Sequence, residues 1–179
     1  MKLRSQAAVL TALLLATACF SLPSAPLAVR LFDAEGRFVG FVDITERDPG
    51  VRLRVHTIDL DGGVHGFHIH ENPVCEPPDF ATAGPHFNPA GKEHGSKNPN
   101  GHHAGDLPNI TVGTSGNWAD TTIDWPDVEL NDGERGLFHN GGTSLIIHQN
   151  PDDQLTDPNG NAGPRIACGV IKKLPEERF

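Results

Sequence analysis

Apolar and polar residues alternate in short runs along most of this chain, and turn-forming residues separate the runs. The cleanest run is Val51-Arg52-Leu53-Arg54-Val55-His56, in which Val51, Leu53 and Val55 share one face and the charged or polar residues the other. A period of two belongs to a strand with one face in a core and one in water. The same pattern predicts strands at 27–32, 38–44, 51–56, 66–70, 110–112, 118–123, 144–148 and 166–171. Turns are expected at Glu35-Gly36 and at Asp48-Pro49-Gly50. Helical periodicity is sustained nowhere, so the expected class is all-β, a sandwich or barrel of antiparallel strands.

Two long connections interrupt this rhythm, one over 71–109 and one over 149–165. Loops of that length without regular structure are usually functional or disordered. These two hold many of the histidines and most of the remaining chemistry, which favours function.

The strand at 66–70 places His68 and His70 on one side and Phe67 and Ile69 on the other. His148 ends the apolar run Leu145-Ile146-Ile147 and can return to the side of that pair. Three or four imidazoles without a thiolate suit a tetragonal copper site. In the first long loop, His86, His94, the pair His102-His103 and Asp106 offer three imidazoles and a carboxylate, the donor set of a closed four-coordinate zinc site. Four of the ten histidines are read as non-ligands: His65, which faces away from His68 and His70, as a hydrogen-bonding neighbour, His56 and His139 as structural or exposed, and one of His102 and His103. Trp118 and Trp125 are expected to pack in the interior, and Glu176-Glu177 to be a solvated end.

Composition narrows the partners. Residues 1–18 combine Lys2 and Arg4 with an apolar run and the small residues Ala16-Thr17-Ala18, the pattern of an export signal. Leu15-Ala16-Thr17-Ala18-Cys19 also resembles a bacterial lipoprotein box, in which Cys19 becomes the acylated first residue. Simple cleavage before an incidental Cys19 is the alternative. Residues 19–26 then form a tether, and 27–179 one domain. Loss of Lys2 and Arg4, with no acid beside them, takes the formal charge from −9 to −11. An acidic balance argues against nucleic acid as partner, since phosphates require a basic face. With Cys19 assigned to export, Cys75 and Cys168 remain, and in an exported chain a pair is most simply a disulfide.

Four segments carry a specific resemblance: Gly66-Phe67-His68-Ile69-His70-Glu71, Gly84-Pro85-His86-Phe87-Asn88-Pro89, Gly105-Asp106-Leu107 and Gly163-Pro164-Arg165-Ile166-Ala167-Cys168-Gly169-Val170-Ile171. In content and order they resemble the copper/zinc superoxide dismutase family, of the bacterial exported type. The resemblance implies a Greek-key β-sandwich or barrel. It implies dismutation of superoxide to oxygen and hydrogen peroxide, with copper on His68, His70, His86 and His148. Zinc would be held by His86, His94, His103 and Asp106, with His86 bridging and His103 preferred over His102 by its three-residue spacing to Asp106. Asp152 would be the carboxylate linking His68 and His94, with Asp153 the alternative if the register differs by one. Arg165 would dock the anion, and the disulfide Cys75–Cys168 would hold the first loop to the barrel. The implied setting is the periplasm, with membrane attachment through lipidated Cys19. A homodimer is admitted by the resemblance, whose members differ in the face they pair. Between His148 and Arg165 the chain has Asp152, Asp153 and Asp157 but no lysine, so steering of the substrate is expected to be weak or to rely on Lys92 and Lys97. The competing reading is a copper-binding or metal-buffering lipoprotein on the same fold, without turnover.

Overall fold

The alternating runs become nine strands in the computed structural model, which describes residues 25–115 and 117–173. The export segment, Cys19, most of the tether and Glu176-Glu177 lie outside the described residues. The strands are β1 (Leu27–Phe32), β2 (Phe38–Glu46), β3 (Val51–Thr57), β4 (Gly63–His65), β5 (Phe67–His70), β6 (Ile110–Val112), β7 (Ala119–Trp125), β8 (Thr143–His148) and β9 (Arg165–Ile171). Two short 3-10 turns, Ala81–Ala83 and His139–Gly141, lie in the connections.

Seven strands form one antiparallel sheet in the order β5-β8-β9-β1-β2-β3-β7, and β4 and β6 form a separate two-stranded ribbon. Opposite ends of the sheet contribute to one core: Phe67 and Ile69 of β5 belong to the same buried cluster as Leu53 of β3 and Ile123 of β7. The sheet is therefore curled around its apolar face. Val51, Leu53 and Val55 are fully buried, as their alternation requires. Each such side chain contributes about 1.5–3 kcal/mol relative to exposure.

The segment at 66–70 differs from a single strand. It breaks at Gly66, where β4 pairs with β6 and β5 pairs with β8. The Gly66 N–H donates to the Asn150 carbonyl at 2.8 Å, and its own carbonyl accepts from the His148 N–H at 2.8 Å. A Cβ here would lie 2.9 Å from that of Ala162 and 3.3 Å from His68 Cε1. Only glycine lets the second long loop approach so closely.

Trp118 corrects the expectation of interior packing: it is 56% exposed beside the β6–β7 turn. Trp125 does pack against the core, and its Nε1–H donates to the Ala104 carbonyl at 2.8 Å, tying β7 to the first long loop. Cys75 and Cys168 form the disulfide, with Cα atoms 5.7 Å apart, and join that loop to β9.

Candidate metal centre

β5 and β8 lie side by side, with His68 opposite Ile146 and His70 opposite Ser144, and His148 ends β8 beside Arg165 of β9. The first long loop returns along β5, where Phe87 N–H donates to the Ile69 carbonyl at 2.8 Å and brings His86 onto the same wall. His68, His70, His86 and His148 are all buried. Each carries one ring nitrogen without a hydrogen-bond partner: Nδ1 of His68, and Nε2 of His70, His86 and His148. An unpartnered buried nitrogen costs about 1–3 kcal/mol. Four such residues, each offering one donor atom within 4.8 Å of the others, could hold a metal ion. An all-imidazole set of four suits copper.

His86, His94, His103 and Asp106 form a second buried group of the same compactness. Asp106 Oδ1 lies 2.7 Å from His86 Nδ1 and 3.0 Å from His103 Nδ1. His94 Nδ1 is also 3.0 Å away, without the alignment of a hydrogen bond. Asp106 Oδ2 is fixed by the N–H groups of Gly95 and His103 at 2.8 and 2.9 Å. Three nitrogens and one carboxylate oxygen meeting in this way suit zinc. His86 belongs to both groups, offering Nε2 to one and Nδ1 to the other.

Hydrogen bonds on the far side of the rings set their orientation. His70 Nδ1–H donates to the Gly84 carbonyl at 2.8 Å and His148 Nδ1–H to the Gly163 carbonyl at 3.0 Å, which leaves Nε2 of each free. Asp152 accepts from His68 Nε2 at 2.8 Å and from His94 Nε2 at 3.0 Å, and so spans the two groups. The side chain of Asn109 brackets the Asp152 backbone, and Gln154 donates to its carboxylate through both backbone and side chain. Asp153 is exposed and caps Thr156 and Asn161 instead. His65 places Nδ1 2.8 Å from the His148 carbonyl and Nε2 2.9 Å from that of Asp61.

Burial and charge divide these groups without any ion present. Burial lowers His68 to about 3 and His148 to about 4, and pushes His70 well below its ordinary value. These rings are neutral donors at pH 7. Burial also opposes charge on His94, but the neighbouring carboxylates of Asp106 and Asp152 outweigh that and lift it to about 9. Asp106 and Asp152 lose to burial and gain more from their histidine partners, so both sit below the usual carboxylate range.

Arg165 is half-buried, and its Nη1 and Nη2 donate to the carbonyls of Phe80 and Gly84 at 2.6 and 2.7 Å. It lines a cleft with Gly84 and Gly163, the residues whose carbonyls hold His70 and His148. His102 turns away from both groups and pairs with Asp127 at 3.0 Å. His56 stacks on Phe41, and His139 is half-buried with Nδ1 3.2 Å from the Gly133 carbonyl. Sequence reasoning assigned no role to Phe80, Gly84, Gly163, Asn109 or Gln154. Most of these act through backbone atoms, which leave no side-chain signature.

Residues 38–171 match the family model for copper/zinc superoxide dismutase. The chain belongs to the copper/zinc superoxide dismutase family. A copper-zinc superoxide dismutase of Aquifex aeolicus is 45% identical over 162 residues, covering 89% of this chain and 94% of its own length. A superoxide dismutase-like protein from Bacillus subtilis of known crystal structure is 43% identical, with a TM-score of 0.77, over 80% of this chain and 97% of its own. The copper/zinc superoxide dismutase of Brucella abortus is 31% identical, with a TM-score of 0.68, over 82% and 99%. As a copper/zinc superoxide dismutase, the chain is an oxidoreductase that binds copper and zinc and acts on superoxide. Its disulfide fits the oxidising compartment in which such bonds persist.

Proposed function

We propose that His68, His70, His86 and His148 hold copper, that His86, His94, His103 and Asp106 hold zinc, and that His86 bridges the two as an imidazolate. The observation that carries this reading is the pair of faces on His86, with Nε2 unpartnered among three other copper-type donors and Nδ1 directed at Asp106. Copper, when bound, supplies the one-electron exchange, and zinc a fixed charge on the bridging ring. Two superoxide ions and two protons become oxygen and hydrogen peroxide. Arg165 binds each anion in turn: two of its five N–H groups are committed to Phe80 and Gly84, and the others remain for substrate. His86 Nε2, unpartnered while Nδ1 is fixed at Asp106, would be the atom that holds one of the two protons and passes it to the peroxide. Asp152 keeps His68 and His94 in register while this happens.

The test is metal content by mass spectrometry with superoxide decay, for wild type and Arg165→Ala. The variant should retain both metals and lose turnover by about 10- to 100-fold. Unchanged turnover would remove Arg165 from the reaction, and full metal loading of the wild type without turnover would favour metal buffering. We further propose export through 1–18 and attachment of the 27–179 domain to the membrane through lipidated Cys19. Cell fractionation of Cys19→Ser, with release from the membrane expected, tests this. Sedimentation of the loaded protein tests the homodimer.

A further inference from the structure

The cleft at Arg165 also contains a carboxylate that the reaction above does not use. Asp79 and Arg165 line the same cavity, and no other lysine or arginine lines it. The two lysines expected to aid steering are elsewhere: Lys92 lines a separate cavity with His102 and Asp127, and Lys97 Nζ donates to the Asp153 carbonyl at 3.2 Å.

Asp79 is held in place rather than free to swing away. Its Oδ1 accepts the Ala81 N–H at 3.0 Å. The next residue, Phe80, has its ring buried against Cys168 and Ile146, takes the left-handed backbone at φ 53°, and offers its carbonyl to Arg165. A bulky residue in that region is strained and needs surrounding structure to maintain it. One short segment thus fixes both the guanidinium and a negative charge beside it. Arg165 spends its bonds on carbonyls and not on Asp79, so the acid does not cap the docking group. Burial lowers the Arg165 pKa, and the charge of Asp79 works against that shift.

Resting on the reading of Arg165 as the docking group, we propose that Asp79 is a specificity-determining residue for the anion taken up at that position. Its fixed charge opposes every anion approaching the cleft, and opposes a divalent anion twice as strongly as superoxide. Asp79 therefore offsets part of the arginine's own stronger attraction for sulfate or hydrogen phosphate, and narrows the advantage of a divalent anion over a small monovalent one.

The test compares Asp79→Asn with Asp79→Glu in the copper- and zinc-loaded protein at low ionic strength. Asparagine keeps an oxygen for the Ala81 N–H and removes only the charge, whereas glutamate keeps the charge. Removing a charge that lines the same cleft as the docking arginine should raise superoxide kcat/KM about threefold, and tighten competitive inhibition by sulfate by about the square of that, roughly ninefold. Both effects should fade at about 0.5 M salt. A second readout is sulfate titration of the Arg165 guanidinium signals by NMR in the reduced, diamagnetic protein, where the apparent Kd should fall by the same factor as the inhibition constant. Equal effects on superoxide and sulfate, no effect of Asp79→Asn, or an Asp79→Glu variant that behaves like Asp79→Asn would each overturn the proposal. Arg165→Ala separates this from the docking reading: if it leaves sulfate inhibition and turnover unchanged, the docking reading itself has failed. If Arg165→Ala abolishes both while Asp79→Asn changes neither, only the role of Asp79 is lost.

Discussion

Replacing Gly160 by alanine should weaken metal binding although Gly160 touches no candidate metal position. Its φ of +61° belongs to the left-handed region, and a Cβ there would press into the Asp152 carboxylate and lie 2.7 Å from His94 Nε2. Asp152 would have to leave the position from which it holds His68 and His94 at 2.8 and 3.0 Å. The left-handed backbone alone costs a non-glycine residue about 1–2 kcal/mol. Loss of a carboxylate that orients metal-bound histidines costs about 10- to 100-fold in affinity. Gly36→Ala separates the two terms, because Gly36 has φ +77° with nothing within 4 Å of its Cβ position. The assay is chelator competition for zinc and copper, together with thermal melting of the metal-free protein. Gly160→Ala should lower both affinities by about 10- to 100-fold, and Gly36→Ala should lower only the melting temperature. If Gly160→Ala binds both ions as the wild type does while melting like Gly36→Ala, the carboxylate link does not position the ligands.

Four further outcomes are expected. His94 is charged below about pH 9 in the metal-free protein, and zinc must displace that proton, so zinc affinity should fall as pH drops below 9. Calorimetry in buffers of different ionisation enthalpy should show proton release on zinc binding, and none would contradict the assignment of His94. The same raised pKa stabilises the metal-free fold fully below pH 6.5, and that contribution should fade as pH rises through 9. Gly66→Ala should change the copper(II) EPR spectrum and leave zinc uptake unaltered, because its Cβ would press on Ala162 and reach both His68 and His148. Cys75→Ser should destabilise the protein by up to about 5 kcal/mol in the chain-entropy model, read by denaturant unfolding, since the bond closes a span of 93 residues.

What the sequence made legible follows from periodicity and residue type. The alternation in β3 and the pair His68 and His70 on one face of β5 appear in the structure as expected, because a period of two has one spatial meaning. The two donor groups were also legible, since imidazoles and a carboxylate declare their chemistry by name. The break at Gly66 was not, because a glycine within an apolar run does not say which neighbour approaches it. Nor was the placement of Trp118, whose exposure depends on where the β6–β7 turn ends. The holders of Arg165 were illegible for a different reason: the carbonyls of Phe80 and Gly84 are common to all residues, and only the loop path aims them.

The span of Asp152 across the two groups, with His86 common to both, would make their occupancies mutually dependent under the proposed loading. An ion that settles one side pre-aligns rings belonging to the other, and the ordering entropy is spent once rather than twice. Linkage then requires the help to be reciprocal: whatever factor zinc adds to copper affinity, copper adds to zinc affinity. If both ions bind as proposed, maturation is expected to be cooperative, with the half-loaded forms underpopulated relative to two independent sites, which metal titration followed by native mass spectrometry would read.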